Sequence, residues 1–129
     1  MRIEVTQLPP VEYSPNWRGH WARRYRAGRV YQGAVYYSCV DARTRAQREG
    51  VLLPFTNAVI NLCFIFPQYR HRDRDNLIGQ FKPGLDAIVQ AGLLLDDDAE
   101  HLQNGEVNII VNRKRAPLTI IELKEGGSE

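Results

Sequence analysis

The chain is poor in the features that announce a fold or a chemistry at once. Among 129 residues there are two cysteines, Cys39 and Cys63, both in apolar segments and with no metal-ligand spacing. Neither a disulfide framework nor a zinc site is expected, and both thiols read as small buried hydrophobes in a reducing cytoplasm. No apolar run reaches the ~18 residues of a membrane span. The longest, Ala58 to Phe66, contains Asn61 and fits a strand. Met1-Arg2-Ile3-Glu4 leads into no long apolar run, so no signal peptide is expected. G-x-x-x-x-G-K-[ST] and G-x-G-x-x-G are both absent, which argues against a nucleotide cofactor. His20, His71 and His101 are scattered, and there is no internal repeat or low-complexity segment. Lysine is scarce as well: Lys82, Lys114 and Lys124 are the three among 17 basic residues.

What is there is arginine, and it is clustered. The formal net charge of +2 is too small to argue for an anionic partner by itself. Its distribution says more. Arg18, Arg23, Arg24, Arg26 and Arg29 form one group, Arg70, Arg72 and Arg74 a second, and Arg113, Lys114 and Arg115 a third. Arginine grips phosphate with a planar fork that lysine does not copy. Any one cluster read alone is a solvated basic face.

With 43% hydrophobic and 25% charged residues, 129 residues are enough for one domain with its own core. Arg2 to Gln7 reads as a first strand ended by Leu8-Pro9-Pro10, and Ser14-Pro15-Asn16 as a turn. A helix is expected from about Gly33 to Gln47, with Trp17 to Val30 left open as an ordered basic loop because Gly28 and Gly33 blur the helix start. Phe55 to Phe66 is almost continuously apolar, as a central strand would be. Between Asp75 and Ala91 the apolar residues Leu77, Ile78, Phe81, Leu85, Ile88 and Val89 mark one helix face. Asp73 or Asp75 can cap that helix, Gly92 can end it, and Pro83 should kink or split it at Phe81–Lys82. Glu106 to Asn112 and Pro117 to Leu123 read as strands joined by the Arg113-Lys114-Arg115 turn, and 125–129 as a frayed tail. These elements predict a single α+β domain, 1–129, with a mixed β-sheet packed by two main helices.

The chemistry concentrates between Tyr69 and Asp98. Asp73 and Asp75 stand among Arg70, Arg72 and Arg74 at the start of the helix, and Asp96, Asp97 and Asp98 follow its end. On a helix, Asp75, Gly79, Lys82 and Asp86 fall within about 60° of one another. Taken singly, these features are ordinary. D-x-D at a strand-to-helix junction is a capping turn, D-D-D a solvated loop in which Asp98 caps Ala99 to Leu102, and Lys82 an exposed lysine. Three arginines and two aspartates within six residues, directly after a buried strand, fit a site for phosphate and a hard cation better than a cap. Oxygen ligands favour Mg²⁺ or Mn²⁺ over Zn²⁺.

These residues also resemble a known family. R-H-R-D-R-D-N-L (Arg70 to Leu77), K-P-G-L-D-A-I-V-Q-A-G (Lys82 to Gly92) and the Asp96-Asp97 pair resemble the RusA family of Holliday-junction resolvases, and so does the stretch Ser14 to Trp21. The resemblance implies a RusA-like nuclease domain of the phage or prophage type, cytoplasmic and nucleoid-associated. It would cut four-way DNA junctions by paired nicks as a homodimer, with Mg²⁺ or Mn²⁺ as cofactor. By matching positions, Asp73, Asp75 and Asp97 would be the essential acids, and Asp96 and Asp86 supporting carboxylates. Asn16, Arg18, His20, Arg23, Arg24, Arg26, Arg70, Arg72, Arg74 and Asn76 would face DNA. One departure is visible: the family's lysine four residues after the second aspartate is replaced here by Gly79, and Lys82, on the same face, would take the catalytic lysine role.

Overall fold

In the computed structural model, which describes residues 1–69 and 72–126, eight elements follow one another. They are β1 (Arg2–Val5), a 3-10 turn (Val11–Tyr13), α1 (Trp21–Arg48), β2 (Ala58–Phe66), α2 (Arg74–Gln80), α3 (Lys82–Gln90), β3 (Leu102–Val111) and β4 (Leu118–Glu125). The strands form one mixed sheet in the order β1-β4-β2-β3. β2 runs parallel to β3 and antiparallel to β4, while β1 is antiparallel to β4. The architecture is therefore α+β, as predicted. Parallel neighbours need a crossover, and the β2-to-β3 crossover carries α2 and α3.

β2 lies inside the sheet because its side chains are apolar on both faces. Ala58, Ile60, Leu62, Phe64 and Phe66 are buried on one face, and Ile65 on the other. β3 and β4, joined by the Arg113-Lys114-Arg115 turn, are not neighbours; β2 lies between them. The expected fraying does not reach Glu125 or Gly126. Glu125 pairs with Ala58, and the Gly126 amide donates to the Asn57 carbonyl at 2.8 Å. Residues 127–129 lie outside the described residues.

The first helix is much longer than expected. It starts at Trp21, so the segment read as a possible basic loop is mostly helical. The His20 ring accepts a hydrogen bond from the Ala22 amide at 3.0 Å and caps it. The buried positions Gly28, Tyr31, Val35, Cys39, Ala42 and Ala46 recur at helical spacing on its inner face. Gly28 blurs the pattern in sequence because a glycine costs helix stability. Tertiary packing supplies the reason for it, since a Cβ there would stand 2.8 Å from the Tyr13 ring. Burial keeps Cys39 a neutral thiol, with its pKa pushed up to about 12; Cys63 is only half-buried. No helix among the described residues is long and apolar enough to cross a membrane.

The second helical pattern splits where proline demanded. α2 ends at Phe81, and Pro83 falls in the first turn of α3, where its missing amide has no intrahelical partner to lose. Phe81 itself is 1% exposed. Its ring meets Tyr31 of α1 and Phe64 of β2 edge-on, with centroids 6.1 and 6.2 Å away. Gly84 makes room for it, because a Cβ there would come within 2.6 Å of the ring. At the far end of α3, Gly92 takes a positive φ of 80°. The Gly92 amide donates to Val89 and the Leu93 amide to Ile88, the paired bonds that close a helix on a left-handed glycine. Leu93 and Leu94 then bury themselves, and the Leu93 carbonyl and Leu95 amide both bond to Phe55.

Removing the Phe81 ring should unseat both helices at once. Phe81→Ala is expected to lower the unfolding free energy by about 3–5 kcal/mol, measured by urea titration. A midpoint equal to that of the wild type would contradict the role given to the ring.

Candidate functional site

A straight helix from Asp75 to Ala91 would be about 25 Å long and would hold the two acidic groups at opposite ends. The break at Phe81 and the reversal at Gly92 change that. Lys82 starts α3, Asp86 follows one turn later, and the returning chain brings Asp97 to the same lysine. Lys82 Nζ donates to Asp97 Oδ2 at 2.6 Å and stands 3.1 Å from Asp86 Oδ1. The Asp97 side chain is only 19% exposed, whereas Lys82 and Asp86 are about half exposed. The hydrogen bond that Lys82 donates to Asp97, opposed by partial desolvation and assisted by Asp86, raises the Lys82 pKa above its ordinary value. Lys82 is therefore a fixed positive charge at neutral pH, suited to an anion and unsuited to removing a proton. Asp96 Oδ1 accepts from the Asp97 amide at 2.7 Å and fixes the backbone of that turn.

Asp73 caps α2 through Oδ1, which accepts from the Asp75 amide at 2.8 Å. Asp75 and Arg74 are exposed in the first turn. The Arg72 guanidinium lies over the Phe66 ring, 3.5 Å from its centroid, and donates to the Gln68 carbonyl at 3.2 Å. Arg70 and His71 lie outside the described residues. Among those described, Asp73, Asp75 and Asp97 do not gather their side-chain donor atoms within 4.8 Å of one another; one oxygen each of Asp96 and Asp98 and a ring nitrogen of His101 do. An oxygen-only set such as Asp73, Asp75 and Asp97 suits Mg²⁺ or Mn²⁺ in donor chemistry. In this arrangement one Asp97 oxygen is taken by Lys82 and one Asp73 oxygen by the cap.

The N-terminal arm docks onto α2. Pro15 occupies the space over Gly79, where a Cβ would meet the proline ring at 2.9 Å. Asn16 Nδ2 donates to Asn76 Oδ1 at 3.4 Å, and the buried Gln80 donates to the Pro10 carbonyl at 3.2 Å. Gly79 is thus a packing glycine, and a lysine in its place would collide with Pro15. Arg24 holds the arm from the other side. It donates to the carbonyls of Ser14 and Glu12 at 2.8 and 3.3 Å and lies 4.1 Å from the Tyr13 ring centroid. Its guanidinium is committed to the fold, unlike those of Arg18 and Arg26, which are exposed. Arg23 sits over Trp17 at 5.8 Å, and His20 stacks on Trp21 with centroids 5.7 Å apart.

Sequence reading missed Asp98 and His101 as a pair, although D-x-x-H at i,i+3 was visible. Asp98 does cap the turn before β3, accepting from the Glu100 and His101 amides at 3.0 and 3.1 Å. It also bonds His101 Nδ1 at 2.6 Å. That bond raises the His101 pKa above its ordinary value and lowers that of Asp98.

No family model matches the chain. It is 38% identical over 90 residues to a protein of Xylella fastidiosa (strain Temecula1 / ATCC 700964) described as uncharacterized. The match takes in 69% of this chain and 56% of that relative, so the chain spans little more than half the relative's length.

Two outcomes are expected. Gly79→Ala gains helix propensity of about 1 kcal/mol but overpacks Pro15 at a cost of about 1–3 kcal/mol. The amides of Asn16 to His20 should then exchange faster in hydrogen-exchange experiments while the sheet stays protected; unchanged protection would mean that Pro15 yields freely. The contribution of the His101–Asp98 pair is fully present below the ordinary imidazole pKa and is lost as pH rises through the raised folded value. On the acid side it disappears as Asp98 protonates. In an NMR titration Asp98→Asn should bring the His101 pKa down, and an unmoved midpoint would remove Asp98 as the cause.

Proposed function

We propose that the chain is a metal-dependent, structure-selective endodeoxyribonuclease that resolves four-way DNA junctions by paired nicks and acts as a homodimer. The observation that carries this reading is the convergence of Lys82, Asp86 and Asp97 on one flank of a split helix. The companion helix α2 is opened by Asp73 and Asp75 and carries the docked N-terminal arm, which holds Arg18 and leads into the arginines at the start of α1. The resemblance to RusA resolvases in R-x-R-D-x-D-N-L, K-P and D-D supports the same reading, and two matched sites suit a substrate with two-fold symmetry.

Asp73, Asp75 and Asp97, with Asp96 and Asp86 in support, would hold Mg²⁺ or Mn²⁺. Such an ion supplies activation of water and neutralisation of charge on the scissile phosphate. The protein's own residues do the rest. Lys82, kept protonated by its two carboxylates, offers a positive charge to phosphate oxygens as negative charge develops. Arg74, exposed beside Asp75, and Arg18, Arg23 and Arg26 on the arm and α1 grip the flanking backbone. Asn16 and Asn76 fix the distance between arm and helix.

A second reading has a specific observation in its favour. The carboxylates of Asp73, Asp75 and Asp97 stand apart while Lys82 already neutralises Asp97, as would suit a junction-binding protein that does not cut. Cleavage assays with Mg²⁺ and with Mn²⁺ on four-way, flap and linear substrates separate the two. Asp75→Asn is expected to abolish nicking of the four-way junction, a loss of at least about 100-fold, with binding kept within about twofold. Nicking at the wild-type rate would overturn the assignment of Asp75. Tight binding with no nicks from the wild-type chain in either metal would replace the nuclease reading with the binding one.

A further inference from the structure

From Tyr13 to Val40 the chain holds five arginines and no aspartate or glutamate. On the helical part of this stretch Trp21 is 72% exposed and Tyr25 57%. Two large aromatic rings left in water one turn apart are unfavourable unless something covers them. They continue along the helix into Arg29, Gln32 and Tyr36. At about 100° per residue these five positions fall within an arc of about 80°, so they form one stripe. Arg29 lies 5.9 Å from the Tyr25 ring centroid, which binds cation and ring into one surface. At its far end the stripe opens into a cavity of 390 Å³ lined by Arg29, Gln32, Gly33, Tyr36, Tyr37 and Gln90. The space beyond Gly33 is open, with no atom within 4 Å of where a Cβ would stand.

The chemistry of the stripe selects its occupant. Exposed aromatic rings beside the Arg29 guanidinium, on a segment with four further arginines and no acid, fit a partner that is both aromatic-faced and anionic. A second copy of this chain meets the requirement poorly. A two-fold contact through the same face would set two five-arginine segments together, with no acid in either to neutralise them. Single-stranded DNA meets it fully, because every base offers a π-face and every linkage a phosphate. The position is also suitable. Gly28, between Tyr25 and Arg29, lies against Pro83, the residue after Lys82, with 3.5 Å from its Cβ position to the proline ring.

We propose that the stripe Trp21–Tyr25–Arg29 on α1 is a stacking platform for unpaired DNA bases, such as those exposed at the centre of an opened branch point. The proposal rests on the nucleic-acid reading above and deepens it. Rings that stack on splayed bases select distorted DNA over continuous duplex, a preference that phosphate contacts alone do not supply.

The test needs neither metal nor cleavage. The full chain is titrated with a short oligothymidylate and, separately, with a fully paired duplex of equal length, both in the presence of a chelator. Binding is read by fluorescence anisotropy and by tryptophan emission in a Trp17→Phe background, where Trp21 is the remaining indole. Oligothymidylate is expected to quench Trp21. Trp21→Ala and Tyr25→Ala should each weaken its binding about tenfold while changing duplex binding less than about twofold, and Tyr25→Phe should restore it. Circular dichroism of each variant shows whether α1 stays folded. Equal losses on single-stranded and duplex DNA, or wild-type affinity in Trp21→Ala, would overturn the platform. So would a loss of self-association in sedimentation with oligonucleotide binding unchanged, which would make the stripe an interface between copies. Failure of the nuclease reading is separately visible: no nicks on junctions in Mg²⁺ or Mn²⁺, whatever the metal-free binding shows.

Discussion

The burial of one ring, that of Phe81, fixes the direction of every element the candidate site is built from. It sits at the residue shared by the end of α2 and the start of α3, and it is held edge-on by Tyr31 and Phe64. Because the ring must point into the core, the next residue, Lys82, must point away from it at the head of α3. Asp86 then follows one turn along the same flank. Gly84 belongs to the same constraint, since any Cβ there would occupy the space of the ring. A buried hydrogen-bond chain anchors the wall against which it packs: Tyr31 donates to Thr119, and Thr119 to the Gln7 carbonyl, at 3.0 and 2.6 Å. Desolvation raises the Tyr31 pKa, so this tyrosine stays a neutral donor.

A second constraint places the basic arm. Arg24 of α1, half-buried where Arg18, Arg23 and Arg26 are exposed, ties the Glu12–Ser14 backbone to that helix, and Pro15 then rests on Gly79. The same glycine that departs from the RusA pattern is thereby accounted for by packing. The space a lysine would need is filled by the arm, and a lysine three residues on stands between Asp86 and Asp97 instead. The arm and α2 are thus packed together, with exposed Arg18 on the arm and exposed Arg74 between Asp73 and Asp75 at the head of the helix.

Much of this was legible in the sequence because it follows from local rules. The split at Pro83 follows from the missing amide, the helix end at Gly92 from the need for a left-handed residue, and the caps by Asp73 and Asp98 from side-chain acceptors placed before free amides. The central place of β2 follows from apolar residues on both of its faces. The start of α1 was not legible, because Gly28 lowers helix propensity and the contact that compensates, with Tyr13, joins distant parts of the chain. The pairing of Glu125 with Ala58 was hidden for the same reason: a charged tail frays unless a partner strand meets it.

The sequence by itself determined which residues can carry charge chemistry, since the arginine clusters, the D-x-D cap and the D-D-D turn are read directly from composition and spacing. It also indicated that the helix between the acidic groups would kink or split at Pro83, and the structure shows the split. Only the tertiary structure decided where those groups meet. The distance from Asp97 to Lys82 depends on the angle between α2 and α3 and on Leu93 and Leu94 burying themselves beside Phe55, and no local rule encodes either. A helix boundary is set by a few neighbouring dihedrals, whereas an encounter across fifteen residues is set by how the whole core packs.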